Sequence, residues 1–294
     1  AERVDALLDR YGIARIDACS AAILDAGEAA MRAYIRQLKP GVYKSTAYLD
    51  HDGVETERYP LPVTVTVSKD EIEVDFRDVG DQVPSYYNSP IANTSACVYI
   101  AFFYLSNDQQ VQNEGSTRAI KILTRKGSLV DSVAPAPVTG CTTFTAAVIV
   151  EAVLRAMDGS APNAIVAGCA RRFRYVIAGD DPITGSYIYH YFSNKGGFGA
   201  NADEDGWVNV GGLQNPGGTP SASLERVEAT YPFQIEEYRL TQGSGGAGEH
   251  RGGAGGVVAL RYRGSGPAVL NIAGEGTIVA PHGARGGRDG APHI

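Results

Sequence analysis

The chain has 294 residues, of which 44% are hydrophobic and 20% charged, a composition typical of a folded globular protein rather than a disordered one. Its net charge of -7 argues against nucleic acid or an anionic membrane as the main partner, because both need a basic surface. The sequence also contains no run that approaches the roughly 20 apolar residues of a membrane span.

The first part of the chain is expected to form two helices followed by strands. Apolar residues at three- and four-residue spacing predict a short helix over residues 2–12 and a longer one over residues 17–38. Period-two alternation then predicts four antiparallel strands in a row, with a turn at 51–53 and a second strand after it. The other three strands are expected at 41–50, 62–68 and 72–76.

Two apolar runs in the middle of the chain predict buried helices. The run at 96–105 follows Asn93-Thr94-Ser95, which offers an N-cap, and the second helix is expected over residues 142–157. From residue 165 onward, strands and glycine loops dominate. The predicted strands are 174–177, 186–192, 225–230, 234–240, 257–262 and 269–272. The expected fold class is therefore α+β, antiparallel and β-rich, with a few buried helices and glycine-rich loops.

The expected domain organisation has a soft boundary near residue 160. Residues 1–160 would hold the helical hairpin, the β-meander and the buried helices, and residues 161–294 a β-rich glycine-loop region. Nothing resembles a flexible linker, so one continuous domain is the alternative. The chain begins without Met and ends within a glycine-rich run, so we expect a fragment or a processed product.

Cys141 is the most interesting of four widely spaced cysteines, which we expect to be reduced thiols. It follows a Pro- and Gly-containing turn and opens the second buried helix. A helix N-terminus lowers the pKa of a thiol and makes it more nucleophilic, so Cys141 is a candidate catalytic residue. The alternative is a small buried hydrophobic residue at a packed turn.

Two further residues are candidates for acid–base chemistry. His190 lies in a Tyr-rich strand, where alternation places it on the face opposite the tyrosines. Glu114 lies in a compact polar turn between two apolar segments. The alternatives are a structural or surface histidine and a solvated or salt-bridged glutamate. None of the five histidines belongs to an HxH or HExxH pair, and we predict no metal ligand on this chain.

Glycine runs mark the second part of the chain. They lack the GK[ST] ending of a phosphate loop, and neither opens a helix in a βαβ unit. One interpretation is a set of tight turns and bulges that let backbones pack closely. The other is a nest of backbone N–H groups that binds an anion. The candidate substrate- or phosphate-binding residues are Gly197, Gly199, Gly245, Gly246, His250 and Arg251.

Several segments, taken in order, carry a family resemblance over about residues 3–290. They are V-D-F at 74–76, N-E-G at 113–115, G-S-L at 127–129, P-A-P-V at 135–138, G-G-F-G-A at 196–200, S-G-G-A-G at 244–248 and R-G-G at 251–253. Together they resemble the C-terminal portion of the hydantoinase B/oxoprolinase family, which includes the related acetone and acetophenone carboxylase subunits.

The resemblance implies a subunit, or the C-terminal half of one, of an ATP-dependent amidohydrolase that opens lactam or hydantoin rings. Activation by phosphate would turn a stable amide into a reactive electrophile. ATP would bind a hydantoinase A-type partner subunit. A divalent metal would lie on a partner chain or on an N-terminal hydantoinase B-type part. The complex is expected to be cytoplasmic and to act on a small molecule.

Two alternatives stay open. One is a subunit of an ATP-dependent ketone carboxylase, and the other is a non-catalytic scaffold subunit. The sequence departs from the family pattern at Ser116, where the family usually has Cys, and at Gly140-Cys141, where it usually has Gly-Asn. These departures leave room for the carboxylase branch.

Overall fold

The computed structural model describes residues 2–52, 57–106, 112–161, 164–181, 185, 187–215 and 221–294, with the backbone alone over 188–194. The fold is α+β, as predicted. One four-stranded sheet, one three-stranded sheet and one two-stranded sheet are accompanied by helices. None of the helices in the described ranges combines the length and the apolar character that a membrane crossing needs.

Two helices open the chain. Helix α1 spans Glu2–Tyr11 and α2 spans Ile13–Ile35, which confirms the two predicted helices. Gly12 separates them with a positive φ of 76°. Helix α1 has no buried residue, and α2 buries only Gly27, Met31 and Ile35. Helix α2 therefore joins the core only through its C-terminal half.

The largest sheet has the strand order β1-β2-β3-β4. Its strands are Gly41–Leu49, Tyr59–Val67, Ile72–Asp75 and Ile120–Leu123. The first three are antiparallel and confirm the strands predicted at 41–50, 62–68 and 72–76. Strand β1 pairs directly with β2, so the sheet has three antiparallel strands in a row where four were predicted, and β4, which was not predicted, runs parallel to β3. The chain crosses over through helices before it returns as β4, and a parallel strand needs such a crossover. The predicted turn at 51–53 lies partly outside the described residues.

Helix α5 packs on strands β1 and β2 of this sheet, helix α3 packs against α5, and the two helices complete the core. Helix α3 spans Ile91–Ser106, so it begins before the predicted N-cap at Asn93-Thr94-Ser95. The Thr94 hydroxyl instead donates to the carbonyl of Val130 at 2.7 Å. The second buried helix opens as a π-helix over Cys141–Thr145 and continues as α5 over Ala146–Met157. Helix α4 is a single turn, Glu114–Thr117.

The second part of the chain is built from two smaller sheets. The three-stranded sheet has the order β6-β5-β9, and the two-stranded sheet pairs β7 with β8, all antiparallel. The strands are β5 Phe173–Asp180, β6 Tyr187–Asn194, β7 Phe233–Leu240, β8 Gly256–Tyr262 and β9 Ala268–Gly274.

The strand predicted at 225–230 is a helix. Helix α6 spans Leu224–Thr230, and its N-cap Ser223 accepts a hydrogen bond from the amide of Arg226 at 3.3 Å. The alternation of polar and apolar residues indicated a strand. The capping serine satisfies a free amide of the first turn, and only Val227 is buried.

Candidate functional site

A candidate site is a cavity of about 890 Å³ in the second part of the chain. Its wall comes mostly from three glycine-rich segments, 195–202, 244–258 and 281–294, with further residues from 165–175. Gly197, Gly199, Gly245, Gly246 and His250 all line it, so the structure brings both predicted glycine runs to one place. A cavity of this size is typical of a small-molecule site.

The glycine segments pack backbone against backbone. A Cβ at Gly197 would lie 1.8 Å from the carbonyl oxygen of Gly253, and one at Gly245 would lie 1.8 Å from that of Gly252. Gly199 and Gly246 meet other carbonyls in the same way. The space that a side chain would fill is therefore occupied by the protein's own backbone. This favours close packing over a phosphate cradle as the reason for these glycines.

Backbone hydrogen bonds connect these glycine-rich segments to one another and to neighbouring loops. The amide of Phe198 donates to the carbonyl of Trp207 at 2.8 Å, and the amide of Gly253 donates to the carbonyl of Phe198 at 2.9 Å. The amide of Arg288 donates to the carbonyl of Ala247 at 2.8 Å. The wall is thus a network of loops tied to one another rather than a continuation of either sheet.

His250 and Arg251 lie at one carboxylate, Asp205. The backbone amide of Arg251 donates to Asp205 Oδ1 at 2.7 Å, and His250 Nδ1 lies 3.7 Å from the same atom. His250 is half-buried and lines the cavity, whereas Arg251 is exposed and lies outside the lining. Asp205 therefore positions the loop that presents His250.

The charge of the lining is opposite to that of the whole chain. Among the described residues that line the cavity, the Lys and Arg side chains are Lys195, Arg239, Arg285 and Arg288, and the acidic one is Glu249. Burial lowers the pKa of Lys195, and the nearby charge of Arg172 lowers it further. Arg239 and Arg285 pair with Glu237 and Asp158, so Lys195 and Arg288 supply most of the positive charge of the lining, which suits a polar or anionic ligand.

Sequence reasoning missed a buried charged cluster below this lining. Glu151 of α5 lies 2.7 Å from Arg171 Nη2 and 3.5 Å from Nδ1 of His282, which lines the cavity. Burial opposes the charged form of Glu151. The charges of Arg171 and His282 outweigh burial and lower the Glu151 pKa. The available signal was a glutamate inside an otherwise almost wholly apolar helix.

His293 is the second cavity histidine that sequence reasoning missed. Its Nε2 lies 2.7 Å from the carbonyl oxygen of Arg171, and its ring packs against Phe173 at a centroid distance of 5.5 Å. Burial lowers the pKa of His293, although the contact with Arg171 opposes that shift. Arg171 therefore links two of the three cavity histidines, His282 through its side chain and Glu151, and His293 through its backbone.

A second buried carboxylate, that of Asp50, accepts hydrogen bonds from a loop of the second part of the chain. The Asp50 carboxylate accepts hydrogen bonds from the amides of Gly276, Thr277, Ile278 and Val279 at 2.8–3.2 Å. Burial raises the Asp50 pKa, but these amides and the Thr277 hydroxyl outweigh it, and the net pKa is lowered. Asp50 thereby anchors the loop after β9 to the end of β1.

Cys141 lies outside the cavity lining. It begins the π-helix and is buried, and burial raises the pKa of its thiol. The predicted lowering of the pKa by a helix N-terminus is therefore wrong in direction, because desolvation dominates. All four cysteines are free thiols, and Cys19 alone is exposed.

Glu114 is the first residue of α4. Asn113 caps this turn, since its Oδ1 accepts from the amide of Ser116. A Cβ at Gly115 would lie 1.8 Å from the carbonyl oxygen of Leu24, so α4 packs tightly on α2. Glu114 is exposed and does not line the cavity. The N-E-G segment here positions one helix against another.

The remaining site prediction is only partly described. The backbone of His190 lies in β6 and pairs with Ile177 of β5, but its side chain lies outside the described residues. Within the described ranges, no three His, Cys, Asp or Glu side chains are grouped so as to hold a metal ion. The described residues therefore do not fit a metal centre.

Comparisons with known proteins agree on one family. Caprolactamase subunit beta of Pseudomonas jessenii is 32% identical over 287 residues, which cover 96% of this chain and 49% of that subunit. The crystal structure of the ATP-dependent caprolactamase from that organism superposes with a TM-score of 0.79 at 32% identity, over 89% of this chain and 46% of the other. The chain thus spans about half the length of these relatives.

A nucleotide-free structure of acetone carboxylase superposes with a TM-score of 0.81 over 94% of this chain and 39% of that one. At 18% identity this likeness concerns the fold alone. The family model described as hydantoinase B/oxoprolinase matches residues 1–294. The chain belongs to the hydantoinase B/oxoprolinase family.

Proposed function

We propose that this chain is the C-terminal half of the hydantoinase B-type component of an ATP-dependent enzyme that hydrolyses cyclic amides. The observation that carries the proposal is the similarity to caprolactamase subunit beta along almost the whole chain. The cavity of about 890 Å³ with a cationic lining supports it, because it suits a small polar or anionic molecule.

The chemistry explains why ATP would be needed. An amide carbon is a poor electrophile, and a phosphoryl group from ATP makes its oxygen a better leaving group. The glycine segments of this chain are filled by their own backbone and do not form a phosphate loop, so ATP would bind a hydantoinase A-type partner subunit. A divalent metal would lie on that partner or on the N-terminal hydantoinase B-type part.

The proposed site on this chain is the cavity. The glycines Gly197, Gly199, Gly245 and Gly246 would shape its wall, and His250 would contact the ligand. Arg251 would act through the loop that Asp205 holds. The free thiols are typical of a reducing compartment, and we place the complex in the cytoplasm. Contacts between Asp50 and the loop after β9 support one continuous domain over 1–160 and 161–294.

Reconstitution with the copurifying chains tests the proposal. The assembled enzyme should open caprolactam, 5-oxoproline or hydantoin only when ATP is present, and should release ADP in step with product. Absence of ATP-dependent ring opening with all three would contradict it. ATP hydrolysis that requires both acetone and bicarbonate would favour the ketone carboxylase, which the likeness to acetone carboxylase keeps as second candidate.

The same assay tests the three residues outside the described cavity lining. If Cys141, His190 and Glu114 are catalytic, the variants Cys141→Ser, His190→Ala and Glu114→Gln lower turnover and still assemble. Unchanged turnover removes the residue from the site. A complex that keeps full turnover when this chain is left out would instead favour the scaffold alternative.

A further inference from the structure

We propose that His282 is the proton-transfer residue of the glycine-walled cavity and that the buried Glu151 is its positioning residue. The inference rests on the proposed function, because it assigns roles within the same site. It concerns two residues that none of the sequence motifs includes.

The geometry separates the two nitrogens of the His282 ring. Nδ1 is buried and lies 3.5 Å from Glu151 Oε1, within ion-pair range, and it has no hydrogen-bond partner among the described residues. The side chain is nevertheless 20% exposed and lines the cavity. The accessible part of the ring is therefore the edge away from Glu151, which carries Nε2. Contacts of this kind are often long before a ligand binds.

Glu151 is a buried acidic residue in a helix whose other buried residues are apolar. Its side chain is only 6% exposed, among the alanine, valine, leucine, isoleucine and methionine side chains that α5 buries. Arg171, at 3% exposure, contacts Glu151 Oε2 at 2.7 Å, and Oε1 faces His282 at 3.5 Å and Arg155 at 3.6 Å. A buried carboxylate is costly unless it is paired, and Arg171 supplies the pair. Glu151 thus remains ionised and holds the imidazole in one orientation.

Gly168 fixes the backbone of His282. A Cβ at Gly168 would lie 2.2 Å from the amide nitrogen of His282 and 2.7 Å from its Nδ1. The amide of Gly168 also donates to the carbonyl of His282 at 2.8 Å. The histidine is therefore held by its main chain as well as by its ring, as a preorganised acid–base residue should be.

The charged groups near His282 come from three segments. Glu151 and Arg155 lie on α5 and Asp158 directly follows it, Arg171 lies before β5, and Arg285, Arg288 and Asp289 lie on the histidine's own segment. Arg155 and Arg171 pair with Glu151, and Arg285 pairs with Asp158. Arg288 is therefore the cation of this segment that would favour a ligand with a carboxylate or phosphate group.

The step is written for hydrolysis of an amide. The amide oxygen carries the phosphoryl group that ATP supplies. A water oxygen forms a bond to the amide carbon, and its proton passes to Nε2 of His282. The carbon–nitrogen bond then breaks, and the imidazolium returns the proton to the departing nitrogen. A second water hydrolyses the acyl phosphate that remains, so the products are a carboxylate, an amine and inorganic phosphate, and His282 ends as it began.

Kinetics of the reconstituted complex give the first test. His282→Gln should lower kcat by about 100-fold, the lower end of the usual effect of a general acid–base group, with KM nearly unchanged. The acid limb of the pH profile of kcat/KM should vanish. Glu151→Gln should lower kcat by a smaller factor and move that limb to lower pH, because the carboxylate that favours the charged imidazole is gone, which a merely structural role would not do. The control is His51→Gln, a histidine outside the lining.

A second test does not depend on turnover. The full chain is treated with diethyl pyrocarbonate, which modifies neutral imidazoles, and each histidine is followed by peptide mass. We expect His282 to react and inorganic phosphate to slow its reaction several-fold, while His51 is unaffected by phosphate.

The outcomes separate the two proposals. Loss of kcat in His282→Gln supports the role, and normal kcat or a change confined to KM overturns it. If the complex opens no ring substrate, the proposed function fails and the labelling decides. Phosphate-protected modification of His282 then supports the site, and an unreactive or unprotected His282 overturns it.

Discussion

The backbone amide of Asp50 donates a hydrogen bond of 3.1 Å to Oε2 of Glu275, so two buried carboxylates lie side by side although 225 residues separate them. Their surroundings differ. Asp50 receives amides from the loop after β9, whereas Glu275 Oε1 has no hydrogen-bond partner among the described residues. Burial raises the pKa of Glu275 to about 7, and the Tyr87 hydroxyl and the charge of Arg171 oppose it only in part.

Glu275 should make the protein less stable as the pH rises. Its carboxyl has a pKa of about 7 when folded and 4.5 when unfolded, so the folded state holds a proton that the unfolded state has lost. The free energy of unfolding should fall between pH 4.5 and 7, by on the order of 3 kcal/mol, and stay level above that window.

Glu275→Gln removes this dependence, because the amide is neutral at every pH. The variant should match the parent near pH 5 and exceed its stability at pH 8, measured by urea unfolding. Equal slopes of stability against pH in parent and variant would show that Glu275 stays ionised in the folded chain.

The contribution of Asp50 to the free energy of unfolding should depend on pH in the opposite sense to that of Glu275. Its folded pKa is lowered, so its contribution is present above the ordinary Asp pKa and is lost as the pH falls through the folded value. Asp50→Ala leaves several buried amides of the loop 276–279 without an acceptor and should cost about 3 kcal/mol or more. Asp50→Asn keeps one acceptor and should cost less. The exposed Asp78→Ala is the control, and equal Tm values for all three variants would contradict the anchor.

A methyl group should not fit at Gly197. Its Cβ would lie 1.8 Å from a carbonyl oxygen, so Gly197→Ala must displace the backbone of another loop and should cost about 2 kcal/mol or more. The matched control is Gly80→Ala, where a Cβ would meet nothing within 4 Å. Thermal unfolding of both variants checks this, and similar Tm values would argue against close packing of the loops.

Arg171 should stabilise the fold mainly because it pairs with the buried carboxylate of Glu151. Arg171→Met leaves Glu151 buried without its strongest partner and should cost about 3–5 kcal/mol. The double variant Glu151→Met with Arg171→Met removes both charges and should recover much of that loss. Urea unfolding of the two single variants and the double variant gives the coupling. Additive losses would mean that the two side chains do not depend on each other.

The cysteines should differ sharply in reactivity. Burial raises the pKa of Cys97 and Cys169 to about 12 and also raises that of Cys141, whereas Cys19 is exposed. Iodoacetamide at pH 8 should therefore label Cys19 in the native chain and the other three only after denaturation. Rapid native labelling of Cys141, read by peptide mass, would restore it as a nucleophile.

Local periodicity predicted most of the elements and failed where distant contacts decide. The 3.6-residue pattern located α1, α2 and the two buried helices, and the alternation located β2 and β3. The segment 120–123 is too short to be distinguished from a turn, and it becomes β4 only because β3 offers its edge. At 225–230 the alternation of polar and apolar residues led to the prediction of a strand. In the structure the N-cap at Ser223 begins a helix there.

The site was predictable in outline but not in chemistry. The two glycine runs signalled their own importance, and they do meet at one cavity. Glu151 and His282 stand 131 positions apart, and no local pattern relates them. The sequence signal was one glutamate, Glu151, in an apolar helix, and its ion pair with Arg171 becomes visible only in the structure.

The loop network around the cavity also bears on how such a protein can diversify. A wall of main chain offers selection few side chains to exchange, because nearly any replacement at a glycine disturbs two loops at once. Change is then easier at the lining residues that do carry long side chains, such as Lys195 and Arg288, while the main-chain wall itself is inherited unchanged.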